Sequence, residues 1–258
     1  MSQEIEDICP QPGPQEQFLA SKADIAIYGG AAGGGKTWAL LLEGVRHQNN
    51  PRFSAVLFRR TYPQVTAPGG MWDESAAIYY LLGATPNRTT LTWKFPTGAK
   101  VQFGQLQYED SVRDWQGSQI TLISFDELTH FSETQFFYML SRNRSTCGVR
   151  PYIRATTNPD AGSWVAEFIA WWIDQTTGFP IPERAGKLRW FVRIGGAFDW
   201  ADDPDELRAR HPDAQPKSVT FVPALVTDNQ KLLDKDPDYP ANLKALAPVE
   251  QARLLGGN

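Results

Sequence analysis

Little in this chain suits it to a disulfide scaffold or a histidine-built metal centre. Its 258 residues include two cysteines, Cys9 and Cys147, and three scattered histidines, His47, His130 and His211. Neither set has metal-ligand spacing, and so few cysteines fit a reducing compartment. The excess of one charge over the other is also small, 25 Lys/Arg against 29 Asp/Glu. A net charge of −4 and a pI of about 5.5 exclude a protein that coats nucleic acid by bulk positive charge. No run approaches the roughly 18 apolar residues of a membrane span, so no membrane partner is expected. The opening MSQEIEDICPQPGPQ is acidic and polar, unlike a secretory signal. What is present is the apolar and charged share of an ordinary globular protein. It is long enough for one large core, or one core with a small appendage.

Charge is uneven along the chain. Residues 141–195 hold eight Lys/Arg against four Asp/Glu, and residues 196–258 hold seven against eleven. That leaves room for a local basic surface beside an acidic tail region, although solvated faces of either sign account for most such charges.

Glycine is concentrated where it carries chemistry. In IAIYGGAAGGGKTWALLL (25–42), a β-branched and aromatic run leads into a glycine-rich turn and then an apolar-periodic helix. Gly30, Gly33, Gly34, Gly35, Lys36 and Thr37 fit the phosphate-loop pattern G-x-x-x-x-G-K-[ST], with a strand before and a helix after. Glycines let backbone N–H groups fold around phosphate oxygens, and the following helix aims its unpaired amides at the same anion. Lys36 is placed to reach the β- and γ-phosphates of ATP, and the Thr37 hydroxyl to hold Mg²⁺.

A second stretch, ITLISFDE (120–127), is a buried-strand pattern ending in two adjacent carboxylates, Asp126 and Glu127. A core tolerates that pair only when a cation or substrate meets it. With the loop upstream it predicts a hydrolytic site, the two motifs sitting at neighbouring strand ends. Asp126 would hold the metal and Glu127 would polarise the attacking water. A third strand (152–157) ends in Thr156, Thr157 and Asn158, whose polar tips can report the γ-phosphate through a hydrogen bond lost on hydrolysis. A plain turn accounts for Asn-Pro-Asp-Ala-Gly equally well.

The remaining elements read more plainly. Residues 1–14, with three prolines, read as an extended lead-in. A short helix from Gln15 carries two glutamines, Gln15 and Gln17, either able to pair with an adenine edge. A helix covers 38–45, with Trp38, Leu41, Leu42 and Val45 on one face. A strand at 54–58 runs into Arg59 and Arg60, at the end where ligands bind. Those arginines suit phosphate, nucleic acid, a neighbouring subunit or plain surface. A helical segment is expected around 76–82, and a hairpin over 91–103 is expected as an insertion into the sheet. A capping box at Ser132 starts a helix that leads to Arg142 and Arg144. Two residues apart on a helix is about 200°, so the two arginines cannot point the same way. Beyond them come an aromatic-rich helix (164–173), strands at 188–194 and 218–224, and a short amphipathic helix over 234–258.

These motifs, in this order, carry a resemblance. A Gln-x-x-Phe-like lead-in, GGAAGGGKT, LFRRT, LTWKFPTGAKVQFG, ITLISFDE, LSRNRS, ATTNP and VTDNQKLL with YPANLKAL together resemble the ATPase half of a large terminase, the DNA-packaging motor of tailed bacteriophages. The likeness covers about residues 11–255. It implies an α/β P-loop NTPase fold of the additional-strand, catalytic-glutamate type. That fold has a mostly parallel central sheet flanked by helices, an inserted β-hairpin and a small C-terminal linker subdomain. Division at 1–14, 15–195 and 196–258 into lead-in, ATPase core and linker follows.

By the same resemblance, Lys36 and Thr37 take the Walker A roles and Asp126 the Walker B metal role. Glu127 becomes the catalytic glutamate, Thr156, Thr157 and Asn158 the coupling motif, and Gln15 rather than Gln17 the adenine-side glutamine. Some relatives keep an arginine inside the loop. Here Ala31, Ala32, Gly33 and Gly34 leave none, so an arginine finger is expected from a neighbouring subunit, Arg142 first and Arg144 next. Implied partners are double-stranded DNA, the portal protein, the small terminase subunit and further copies in a ring, a pentamer when assembled, with the isolated domain able to stand as a monomer. The implied location is the host cytoplasm, docked transiently on the procapsid portal. The nuclease domain of the family is not expected within this chain, nor is nuclease activity. Two other classes remain to be told apart. One is a helicase or recombination-type ATPase, which DNA unwinding would reveal. The other is a nucleotide-gated assembly module without turnover, which the adjacent acids disfavour.

Overall fold

The computed structural model describes residues 8–30, 33–158 and 160–245. The expected helix over 234–258 lies in part outside them, as do Ala31, Ala32 and the first half of the lead-in.

Helix α1 (Pro14–Ala20) precedes strand β1 (Ile25–Gly30), the glycine loop and helix α2 (Lys36–Val45). Strand β2 (Ser54–Arg59) follows, then α3 (Tyr62–Thr66), α4 (Met71–Tyr79), β3 (Thr85–Asn87), β4 (Thr92–Lys94) and β5 (Lys100–Gln105). Next come β6 (Leu122–Phe125), α5 (Glu133–Leu140), β7 (Tyr152–Thr157) and α6 (Trp164–Phe168). The chain closes with β8 (Arg189–Ile194), β9 (Ala197–Ala201), α7 (Pro204–Arg210), β10 (Lys217–Ala224), α8 (Gln230–Lys235) and α9 (Tyr239–Lys244).

The ten strands of the described residues join one sheet in the order β3-β4-β5-β2-β6-β7-β1-β10-β8-β9. From β5 to β10 every pairing is parallel, and an antiparallel hairpin or ribbon closes each edge. Side chains alternate across a strand, so each central strand feeds two layers. Ala26, Tyr28, Ala55 and Leu57 pack with Phe18, Leu40 and Leu41 beneath α1 and α2. Ile25, Ile27, Val56, Phe58 and Phe125 pack with Phe136 and Phe168 beneath α5 and α6. Burial on both faces explains why β1 reads as a continuous apolar or small-residue run.

Several expectations change in detail. The loop strand and the acid strand are not neighbours: β7 lies between β1 and β6, hydrogen-bonded to both. The hairpin over 91–103 joins the sheet as expected, β5 pairing antiparallel with β4 and parallel with β2. The helix expected around 76–82 starts earlier, at Met71. The one expected over 164–173 breaks at Ile169 into a tighter 3-10 turn. After α5 the chain is not helical at Arg142. Asn143 instead bridges Ile120 in parallel, at the amino end of the acid strand. The expected division at 195 falls in the turn between β8 and β9, and β10 beyond it is the strand beside β1. Residues 217–224 therefore build the same sheet as the loop strand.

Candidate active site

The carboxyl ends of β2, β6, β7 and β1 bring the chemistry together. At the end of β1 the loop adopts backbone angles that side chains resist, with φ of 132° at Gly30, 77° at Gly33 and 70° at Gly35. A Cβ on Gly30 would stand 2.2 Å from the Ala224 carbonyl oxygen, and one on Gly33 would stand 2.7 Å from the Tyr239 ring. Gly35 caps α2 in the left-handed region, so the first amides of the helix face the loop's concavity. Gly34 is tied from beneath by the buried Tyr28 hydroxyl, 2.9 Å from its carbonyl oxygen.

Lys36 folds back across the loop. Its Nζ donates to Asn158 Oδ1 at 2.7 Å and to the Gly30 carbonyl at 3.4 Å. Burial lowers its pKa to about 8, against the upward pull of Asp126 and Glu127. Thr37 Oγ1 donates to Asp126 Oδ2 at 2.9 Å. Thr156 Oγ1 donates to Asp126 Oδ1 at 2.5 Å and accepts the Glu127 N–H at 3.0 Å. Thr157 caps the neighbouring carbonyl of Asn158 at 3.1 Å. The structure thus gathers six sequence-expected residues, Lys36, Thr37, Asp126, Glu127, Thr156 and Asn158, through hydrogen bonds across β6, β7 and β1.

Glu127 sits in the left-handed region, φ 61° and ψ 65°, which costs a residue with a Cβ about 1 kcal/mol or more. The hydrogen bond from its N–H to Thr156 Oγ1 and two contacts to its carboxylate hold it there. His130 Nδ1 lies 3.0 Å from Glu127 Oε2, and Arg59 NH1 lies 3.2 Å from the same oxygen. Arg59 also reaches Asp126, NH2 to Oδ2 at 2.6 Å. Strand-end charge was legible at Arg59, but its meeting with both acids was not. Its neighbour Arg60 turns away and donates to Gln135 Oε1 at 2.6 Å, tying β2 to the start of α5.

The two glutamines of α1 separate. Gln15 is buried, and both ends of its amide are engaged within the chain: Nε2 donates to the Gly35 carbonyl at 2.9 Å and Oε1 accepts the Gln11 N–H at 2.7 Å. Gln17 points toward the Ala185 carbonyl, 3.5 Å away. Gln11 and Asn229 are site neighbours that motif reading passed over. Gln11 Nε2 donates to Asn229 Oδ1 at 2.7 Å, and Asn229 Nδ2 donates to the Gly33 carbonyl at 2.5 Å. The signal available was the Asn before α8, whose side chain caps that short helix.

Arg142 and Arg144 are not brought to the acids of their own chain. Arg142 is half-buried and lies over the Tyr138 ring, while the exposed Arg144 donates to the Gly117 and Ser118 carbonyls. Both flank Asn143, which bridges Ile120, so the run from Ile120 to Asp126, roughly 20 Å of extended chain, separates them from Asp126.

The donor set suits a nucleotide with a hard divalent cation. The glycine loop is a cradle that Cβ atoms would fill, and the Thr37 hydroxyl and Asp126 carboxylate are oxygen donors side by side at its rim.

Residues 27–258 match the family model described as terminase large subunit, T4likevirus-type, N-terminal. No curated protein matches the chain. Solved structures share its fold. The ATPase domain of the Thermus phage P74-26 large terminase is 12% identical, with a TM-score of 0.58 over 95% of this chain and 92% of that one. The large terminase of the thermophilic bacteriophage D6E, solved in complex with ADP, is 13% identical, with a TM-score of 0.61 over 96% of this chain and 53% of that one. The HK97 bacteriophage large terminase is 10% identical, with a TM-score of 0.53 over 99% and 50%. This chain spans about half the length of the last two.

Proposed function

The chain belongs to the large terminase family, and from that membership and the geometry of its strand tips we propose that it hydrolyses ATP to drive double-stranded DNA into a viral procapsid. The observation that carries this reading is the hydrogen-bonded set Lys36, Asn158, Thr156, Asp126, Thr37 and Glu127 around a glycine cradle.

In this reading the β- and γ-phosphates of ATP lie over Gly30, Gly33, Gly34 and Gly35. Lys36 exchanges part of its bond to Asn158 for phosphate oxygen. Thr37 and Asp126 would hold Mg²⁺, which when bound neutralises charge on the phosphate oxygens. Glu127 orients the attacking water and accepts its proton, the role that makes an adjacent pair of acids necessary. Thr156, Thr157 and Asn158 form the tip of β7, the strand between loop and acids. Loss of the γ-phosphate changes what Lys36 and Asn158 hold, and β7 carries that change into the sheet. Gln15 serves the loop through the Gly35 carbonyl, beside the expected adenine position.

An arginine finger, Arg142 or Arg144, comes from a neighbouring copy, since both stand at the far end of β6. The chain then works as a homo-oligomeric ring, a pentamer, on the portal in the host cytoplasm, with the small terminase subunit and double-stranded DNA as further partners. The segment after β10, packed on the loop through Asn229, takes the linker role.

Phosphate release at saturating ATP, with and without duplex DNA and portal, tests the reading. Turnover is expected, and Glu127→Gln is expected to retain nucleotide while losing about 10²–10⁴ in rate. Unchanged turnover in that variant would remove the assignment of Glu127. Unwinding of a forked duplex by the wild-type chain would favour a helicase instead.

A further inference from the structure

Among the described residues Arg59 is the one cation within ion-pair distance of both acids, and neither the loop pattern nor the acid pair accounts for it. It ends β2, which pairs in parallel with β6 so that Phe58 stands opposite Phe125. The next residue on each strand is then Arg59 and Asp126, and the Asp126 N–H is held at 2.9 Å by the Phe58 carbonyl. Register alone places the guanidinium level with the carboxylates. Its fork spans them, NH2 at 2.6 Å from Asp126 Oδ2 and NH1 at 3.2 Å from Glu127 Oε2. The Arg59 side chain is 18% exposed, and its Nε is buried with no hydrogen-bond partner among the described residues. The two carboxylates, and no third group on Nε, therefore set the direction of the fork.

Asp126 Oδ2 is the crowded atom. It accepts from Thr37 Oγ1 at 2.9 Å and from Arg59 at 2.6 Å, while Oδ1 is taken by Thr156. A carboxylate oxygen offers about two lone-pair sites, and both are used. Thr37 and Asp126 are the oxygens that suit a divalent cation, so a guanidinium on Oδ2 and a metal on Oδ2 exclude each other by charge and by space.

We propose that Arg59 is a positioning residue that competes with the metal for Asp126. In the metal-free site its single positive charge is shared between the two acids. On loading it yields Asp126 to the metal and stays on Glu127, keeping that carboxylate aimed at the site. The role of Glu127 in turnover rests on the hydrolytic reading above. The contest for Asp126 does not, since it concerns the nucleotide-free chain.

The test is Mn²⁺ binding to the nucleotide-free chain, read from the electron paramagnetic resonance of free Mn²⁺. Arg59→Gln is expected to bind Mn²⁺ about tenfold more tightly, the equivalent of one charge-assisted hydrogen bond no longer competed for. Arg59→Lys, with a point charge that cannot span both acids, is expected to fall between. Asp126→Asn is expected to lose the site. Unchanged or weaker Mn²⁺ binding in both Arg59 variants overturns the proposal. A second readout separates positioning from mere packing. Arg59→Gln should need less Mg²⁺ for half-maximal phosphate release yet reach a lower kcat, and a parallel change in both would overturn the Glu127 half of the proposal. Absence of phosphate release by the wild-type chain would sink the hydrolytic reading and leave the Mn²⁺ result to decide the contest.

Discussion

Thr156 and Asp126 share a 2.5 Å hydrogen bond across the β7–β6 pairing, and the same Thr156 oxygen receives the Glu127 N–H at 3.0 Å. One hydroxyl thus fixes the carboxylate of one acid and the backbone of the other. The relationship explains how Glu127 can persist in a left-handed conformation. Thr156→Val removes donor and acceptor together and strands the half-buried Glu127 amide. Expected are a loss of about 1–3 kcal/mol in unfolding free energy and a fall in kcat of tenfold or more, with ADP affinity little changed. Thr156→Ser should recover most of both. Equal losses in the Ser and Val variants would show that the methyl group, not the hydroxyl, matters.

Lys36 sets a pH dependence. Burial lowers its pKa to about 8 from 10.5. Above pH 8 the nucleotide-free chain therefore holds a neutral amine that must take up a proton when phosphate arrives. ADP affinity is expected to be fully present below pH 8 and to fall above it, by up to about tenfold per pH unit. For folding the sign is opposite. Between pH 8 and 10.5 the unfolded chain binds the extra proton, so the burden of the buried charge is relieved as pH rises. Calorimetric titration at pH 8.5 in two buffers of different ionisation enthalpy should show proton uptake in the wild type and none in Lys36→Met.

Gln15 offers a choice between reading a base and bracing the loop. Both ends of its amide are engaged, by the Gly35 carbonyl and the Gln11 N–H. Bracing predicts that Gln15→Ala weakens ADP and GDP binding by similar factors, about three- to tenfold, and lowers Tm. Selective loss of ADP binding, with GDP unaffected, would return the residue to the adenine.

Arg142 and Arg144 predict a mixing experiment. Each stands a strand's length from the acids of its own chain, so a finger role requires a second copy. Arg142→Ala subunits mixed with Glu127→Ala subunits should regain part of the turnover each lacks alone. Failure at every ratio, with assembly intact, would leave Arg144→Ala as the next partner to test in the same design. Failure of both would end the trans assignment.

What the sequence by itself determined about this protein is local. A loop that needs positive φ must be glycine, a strand buried on both faces must be apolar, and two acids ending such a strand announce a cation. The string Gly30 to Thr37, the pair Asp126 and Glu127, and the polar tip Thr156 to Asn158 all carry their chemistry within a few residues. Their order also carried the family. Tertiary structure decided who meets whom. That β7 separates the loop strand from the acid strand, and that β10 joins β1, are facts of strand order that periodicity cannot reach. Asn229 meets Gly33 across 196 positions, and the engagement of Gln15 becomes visible only once α1 lies against the loop. Arg59 is the clearest case. As a sequence feature it is a charge at a strand end. The parallel register of β2 on β6 turns it into the counter-ion of both acids, because a one-residue slip would move its side chain to the other face of the sheet.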